Sequence, residues 1–182
     1  MNITSLNQIH LTGIKGVAMT ALALCFQDLG IKITGSDIDE LFVTDEVLIK
    51  RKIHWNIGFK NSFTEKPDLL ITTGAHGGLM NPEVRSAKEK GIQVMTQAES
   101  LANLANQKNA VVVCGVGGKT TTCSMIATLL DSSGKYPSYA IGVGKIYPMG
   151  FPGRYQKKGK EFICEADEFA ISPGINNKPK FS

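Results

Sequence analysis

Residues 110–130 run as a Val-rich segment, Ala110-Val111-Val112-Val113-Cys114, then a glycine turn, Gly115-Val116-Gly117-Gly118, then Lys119-Thr120-Thr121-Thr122 at the head of a helical pattern reaching Leu130. Strand, glycine turn and helix in that order form the context that a phosphate-binding loop requires. Successive backbone N–H groups and the helix N-terminus converge on an anion there, and glycines let the backbone approach it without a Cβ in the way. Lys119 can reach the β- and γ-phosphates, and the Thr120 hydroxyl can ligate Mg2+. The strict G-x-x-x-x-G-K-[ST] pattern is not met, because its first glycine falls at Val113. A glycine turn with a chance Lys-Thr beside it is the plainer alternative, and the flanking strand and helix favour ATP or GTP.

The same grammar governs the rest of the chain. Strands are predicted at 9–11, 31–34, 68–73 and 92–95, alternating with helices at 17–29, 44–51, a segment opened by Asn81-Pro82, and 98–106. In the first helix Met19, Leu22, Ala23 and Phe26 fall on one face. Gly30 and Gly91 are natural residues just past helix ends. The polar stretch Asn106-Gln107-Lys108-Asn109 is the boundary candidate, after which the pattern restarts, with further strands expected at 139–141 and 161–164. Such alternation implies an α/β fold with parallel sheets. We expect a Rossmann-like domain over 1–106 and the opening of a P-loop-type α/β domain over 107–182. By Ser182 the second sheet has about three strands against the usual five or six, so we expect the chain to be a fragment. The Lys157-Lys158-Gly159-Lys160 run reads as a solvated hairpin tip.

Charge narrows the ligand class. The 182 residues carry a net +4, divided as −1 over 1–107 and +5 over 108–182. A mild basic excess beside the glycine turn suits a nucleotide, and it is too weak for a nucleic-acid face. No apolar run reaches the roughly 18–20 residues of a membrane span, and no secretory signal is visible, so the expected address is the cytoplasm. Cys25, Cys114, Cys123 and Cys164 form no C-x-x-C pair and read as small buried hydrophobes.

Three further stretches carry candidate site residues. Glu165-Ala166-Asp167-Glu168 follows a strand, where a doubly wound sheet places its ligands. Clustered carboxylates fit a Mg2+ site, and equally an acidic helix N-terminus. Gly13-Ile14-Lys15-Gly16-Val17-Ala18, with Ser36 and Asp37 after the second strand, approaches a dinucleotide fingerprint, except that Lys15 and Ala18 stand at two of its glycine positions. His76 sits in a glycine-rich loop beyond a parallel strand, poised for a ligand or simply part of a surface turn. His10 and His54 fall inside strands and read as structural, and Trp55 as core.

Taken in order, HLTGIKGVAMTALA, ITGSD, NPEV, AES, VVVCGVGGKTTT and CEADEF resemble the Mur ligases from Ile9 to Phe169. The likeness is greatest to the branch joining L-alanine to UDP-N-acetylmuramic acid, and to its relatives that recycle muropeptides. The resemblance implies a cytoplasmic ATP-dependent ligase of peptidoglycan precursor synthesis, working through an acyl phosphate. Gly115, Gly117, Gly118, Lys119, Thr120 and Thr121 would bind ATP, with Lys119 and Glu165 catalytic and Thr120 and Glu165 holding Mg2+. Gly13, Ile14, Lys15, Gly16, Ser36, Asp37 and His76 would bind the UDP-sugar, and Asp167 and Glu168 would organise the substrate side. The family's downstream histidine metal ligand and amino-acid domain have no counterpart here, so the chain alone is expected to be inactive. Val116 and Gly117 stand where the family usually has Thr and His or Asn. Which amino acid or peptide is added, and the oligomeric state, are not read from these residues. A non-catalytic binding module and a nicotinamide-dependent oxidoreductase are the rival readings.

Overall fold

Strands Gln8–Thr12 (β1), Lys32–Asp37 (β2), His54–Ile57 (β3), Leu69–Thr72 (β4) and Gln93–Thr96 (β5) form one sheet in the order β3-β2-β1-β4-β5, every pair parallel. The computed structural model describes residues 5–60, 63 and 65–166, together with the backbone of 170–172 and 176–179. Between these strands run helices Val17–Asp28 (α1), Asp45–Lys50 (α2), Pro82–Glu89 (α3) and Gln97–Ala105 (α4). The chain runs outward from β1 through β2 to β3, then returns to the other side of β1 as β4. That reversal opens a crevice between the loops after β1 and β4, the place where such sheets bind ligands.

Local chemistry explains the helix ends. Asn81 accepts from Glu83 N at α3, with Pro82 at the first helical position. Thr96 and Glu99 form a capping box at α4. Thr44 precedes α2 without capping it, because its hydroxyl donates to the Lys15 carbonyl instead.

A second sheet contains Asn109–Val113 (β6), Ser138–Ala140 (β7), Gly153–Arg154 (β8) and Glu161–Glu165 (β9), in the order β6-β9-β7-β8. It has four strands where the sequence promised about three. Only the β7–β8 pair is antiparallel. Because β7 lies between β8 and β9, the Lys157–Lys160 segment is a turn in a crossover and not the tip of a hairpin. Helix Lys119–Ser132 (α5) packs on this sheet through Cys123 and Ala127. The backbone of Ala170–Ser172 (β10) pairs antiparallel with Asn176–Pro179 (β11).

Helix α1 is buried at every position from Met19 to Phe26, not on one face as its spacing predicts. A helix apolar all round is covered all round. One side meets Ile9, Leu11 and Ile33 of the first sheet, and the other meets Ala140, Phe162 and Cys164 of the second, all within one core. Cys25 Sγ contacts the Tyr139 carbonyl at 3.3 Å, and Tyr155 N donates to Asp28 at 2.9 Å. Leu101 and Leu104 of α4 enter the same core. Burial pushes the Cys123 and Cys164 thiols up to about 12, as for inert core residues. Cys114 departs from that expectation and is exposed beside the glycine turn. Among the described residues, no helix is long and apolar enough to cross a membrane.

Candidate functional site

Two loops face each other across the N-terminus of α1. The first is 13–16, after β1. Gly13 N and Ile14 N both donate to the Ser36 carbonyl, which folds the loop back over β2. Gly13 has φ +77, and a Cβ there would lie 2.6 Å from Thr73 Cγ2 and 3.4 Å from the His76 ring. Glycine at 13 is therefore what lets the loops after β1 and β4 close on each other. His76 Nε2 lies 3.6 Å from Asp37 Oδ1, and its ring packs against Phe59. Gly13, Ile14, Asp37 and His76 are thus brought together.

Strand alternation separates the rest. Asp37 and Ser36 are neighbours in β2, so their side chains leave opposite faces of the sheet. Asp37 turns toward the loop, accepting from Lys15 N at 2.7 Å and Ile38 N at 2.8 Å, and is fully buried. Ser36 turns away and donates to Glu83 Oε2 at 2.5 Å, so only its carbonyl serves the loop. Lys15 is 3 % exposed. Its ammonium donates to the Ile38 and Glu40 carbonyls, lies 3.5 Å from Asp45, and sits over the Phe42 ring. That cation pins segment 38–45, whose Val43 rests on Gly144, a few residues after β7. It does not reach the mouth of the crevice, which is formed by Gly16, Val17, Ala18, Thr73, Gly74 and Gln97 around a cavity of about 210 Å³.

Glu83 is a residue that the motif reading missed. It is 3 % exposed and lies beneath the loop, accepting from Thr12 at 2.8 Å and from Ser36, with His10 Nε2 3.5 Å away. Burial alone would raise its pKa. The contacts with His10, Ser36 and Thr12 outweigh burial and hold it below the ordinary 4.5. A depressed folded-state pKa gives stability that is present above the unfolded value and lost as pH falls through the folded one. We therefore expect Glu83→Gln to cost about 1–3 kcal/mol at neutral pH, with the gap to the parent narrowing below about pH 4.5. Denaturant titrations across that range check this, and a gap independent of pH would contradict it.

The second loop, 115–118, follows β6. Gly115 has φ +144 and Gly118 φ +75, and no atom lies within 4 Å of where a Cβ at Gly117 or Gly118 would stand. Lys119 Nζ donates back across the loop to the Gly115 carbonyl at 2.9 Å. In β9, alternation sends Phe162 and Cys164 toward α1 and Ile163 and Glu165 toward α5. Glu165 therefore meets the first turn of α5. Its Oε2 accepts from Thr120 Oγ1 at 2.9 Å, and its Oε1 accepts from Gly142 N at 2.8 Å. Lys119, Thr120, Glu165 and the two inner glycines line a cavity of about 340 Å³ that also touches Val17, Ala18 and Gln97. Thr121 is exposed at the head of α5. Asp167 and Glu168 lie outside the described residues.

An open glycine turn, a helix N-terminus and a lysine suit a polyphosphate. The Thr120 hydroxyl and Glu165 carboxylate are hard oxygen donors of the kind Mg2+ takes alongside water and phosphate. Among the described residues, no group of three or more His, Cys, Asp or Glu side chains could hold a metal by itself. A cation here would complete its shell from water and a bound phosphate.

Known proteins are similar to this chain in sequence and fold. The family described as "Mur ligase family, catalytic domain" matches residues 8–109. A UDP-N-acetylmuramate–L-alanine ligase of Rhizorhabdus wittichii is 41% identical over 166 residues, 91% of this chain and 34% of that protein. Its counterpart in Geotalea daltonii is 36% identical over 165 residues, 90% of this chain and 35% of that protein. The chain thus spans about a third of the length of these curated relatives. The crystal structure of UDP-N-acetylmuramate-alanine ligase from Thermotoga maritima superposes with a TM-score of 0.75 at 29% identity, covering 90% of this chain and 37% of that one. A Neisseria ligase for UDP-N-acetylmuramate and L-alanyl-gamma-D-glutamyl-meso-diaminopimelate shares the fold at TM-score 0.82 and 24% identity, covering 97% of this chain and 57% of that one.

Proposed function

The chain belongs to the Mur ligase family, and on that premise we propose that it carries the UDP-sugar and ATP sites of a cytoplasmic ligase of peptidoglycan precursor synthesis. The acceptor is UDP-N-acetylmuramic acid and the added group is L-alanine, in keeping with the names of the curated relatives. The carrying observation is that one cleft is walled by both loops: Val17 and Ala18, at the head of α1, line the cavity of each. A carboxylate held at the first loop would therefore lie against a γ-phosphate held at the second. We divide the chain at 106/107, a reading supported by the second sheet beginning at β6.

In this reading the first cavity takes the sugar diphosphate on the backbone of Gly16 to Ala18, at the positive end of α1. Gly13, Ile14, Ser36 and Asp37 shape that loop, and His76 borders it. Lys15 holds segment 38–45 in place through its buried ammonium. ATP lies on Gly115 to Thr121. The substrate carboxylate attacks the γ-phosphorus, ADP departs, and an acyl phosphate forms. The amine then displaces phosphate and gives up a proton as the amide forms. Lys119 neutralises charge on the phosphoryl group in flight. Mg2+, held by Thr120 and Glu165, would offset the phosphate charge. Gly142 N–H fixes one Glu165 oxygen and leaves the other toward Thr120. We expect these residues alone to bind both substrates without completing ligation.

Fluorescent ATP-analogue titrations, with and without saturating UDP-N-acetylmuramic acid, test the shared cleft. Both ligands should occupy one chain together, each altering the other's affinity. Mutual exclusion, or full independence, would contradict it.

A further inference from the structure

Gln97 opens α4 but does nothing for it, because Thr96 and Glu99 already cap that end. The residue is 8 % exposed, and its Oε1 is buried without a hydrogen-bond partner. It lines both cavities, between Gly16 on one side and Lys119 on the other. The other buried side-chain polar atoms without a partner among the described residues, on His10, Asp45 and Tyr139, belong to groups that line neither cavity. Leaving such an acceptor unsatisfied is costly, so a ligand that satisfies it is favoured.

Phosphate oxygens are themselves acceptors and cannot serve Oε1. The partner must offer an N–H or O–H, and the carboxamide's own NH2 seeks an acceptor beside it. The N–H of a secondary amide supplies that donor in a fixed direction, and the NH2 is left to a neighbouring oxygen. Resting on the functional reading above, the chemistry of the sugar then fits its path. The diphosphate is on C1, the acetamido group on C2, and the reacting carboxylate on the substituent at C3. A sugar with its diphosphate near Gly16 and its carboxylate near Lys119 brings C2 to the wall between them. We propose that Gln97 is a specificity-determining residue that pairs with the 2-acetamido group of the sugar nucleotide.

The test is competition against labelled UDP-N-acetylmuramic acid, using UDP-N-acetylglucosamine, UDP-glucose and UDP. The parent chain should prefer the acetamido sugar to UDP-glucose by about tenfold. Gln97→Leu should bring the two within about twofold while UDP binding stays unchanged. Its melting temperature should not fall, since an unpaired polar atom has been exchanged for an apolar one. No preference in the parent, a preference kept in Gln97→Leu, or equal losses for all three ligands would overturn the assignment. A parent that bound no UDP compound would instead overturn the functional reading, and this inference with it.

Discussion

Lys119→Ala is expected to weaken ATP binding by about 100-fold, or roughly 2.7 kcal/mol, toward the upper end for hydrogen bonds to charged groups. Lys119 Nζ already bridges to the Gly115 carbonyl, so its ammonium stands over the open glycine turn. Backbone amides and the α5 N-terminus remain in the variant, which keeps the loss short of complete. UDP-N-acetylmuramic acid should keep most of its affinity, because in this reading its diphosphate rests on Gly16 to Ala18 and only its carboxylate nears Lys119. In a full-length enzyme the same change should abolish ligation. Calorimetry with the two ligands separates the cases. A variant that bound ATP like the parent, or lost both ligands together, would contradict the assignment of the second loop.

Gly153→Ala should be severely damaging for so small a substitution. A Cβ at 153 would stand 2.1 Å from the Ala21 carbonyl oxygen and 2.7 Å from its carbon. Both are backbone atoms of α1, so no side chain can rotate away. Relief requires β8 to lift from the helix, which uncovers the side of α1 that the second sheet buries. Overpacking usually costs about 1–3 kcal/mol, and a backbone clash belongs at or above that upper end. In a chain of this size about 3 kcal/mol lowers the melting temperature by roughly 6–12 °C. An open control is Gly134→Ala, where nothing lies within 4 Å of the added atom and only its φ of +71 opposes the change. Equal melting temperatures for Gly153→Ala and the parent would mean that α1 is not clamped between the sheets.

The outline of the fold was legible because it is written in local signals. Asn81-Pro82 and Gly30 mark helix ends where the structure has them. The run LLIT is buried at each position, as an unalternating apolar strand predicts. What escaped was non-local. The face that α1 offers to the second sheet depends on strands more than a hundred residues away. Even so, a helix with only Thr20 polar between Val17 and Phe26 carries the hint. Lys15 looked like an anion ligand by its place in a glycine loop, yet two carbonyls and Asp45 take its charge inward.

Period-two alternation decides what motif spacing leaves open. Ser36 and Asp37 belong together in a motif, but they leave opposite faces of β2. Applied to β9, the same rule carries Glu165 to Thr120. No motif points to Gln97 or Glu83, because their significance lies in what surrounds them: an acceptor without a donor in one case, and a carboxylate beneath three polar side chains in the other.

The measurement closest to the central claim is calorimetric titration of this chain with UDP-N-acetylmuramic acid, run beside NADH. Lys15→Glu is a poor control, since a carboxylate facing the Ile38 and Glu40 carbonyls would disturb the fold itself. Saturable binding of one UDP-sugar per chain, with no heat from NADH, is the predicted result. Silence with the UDP-sugar, or binding of NADH alone, would contradict it.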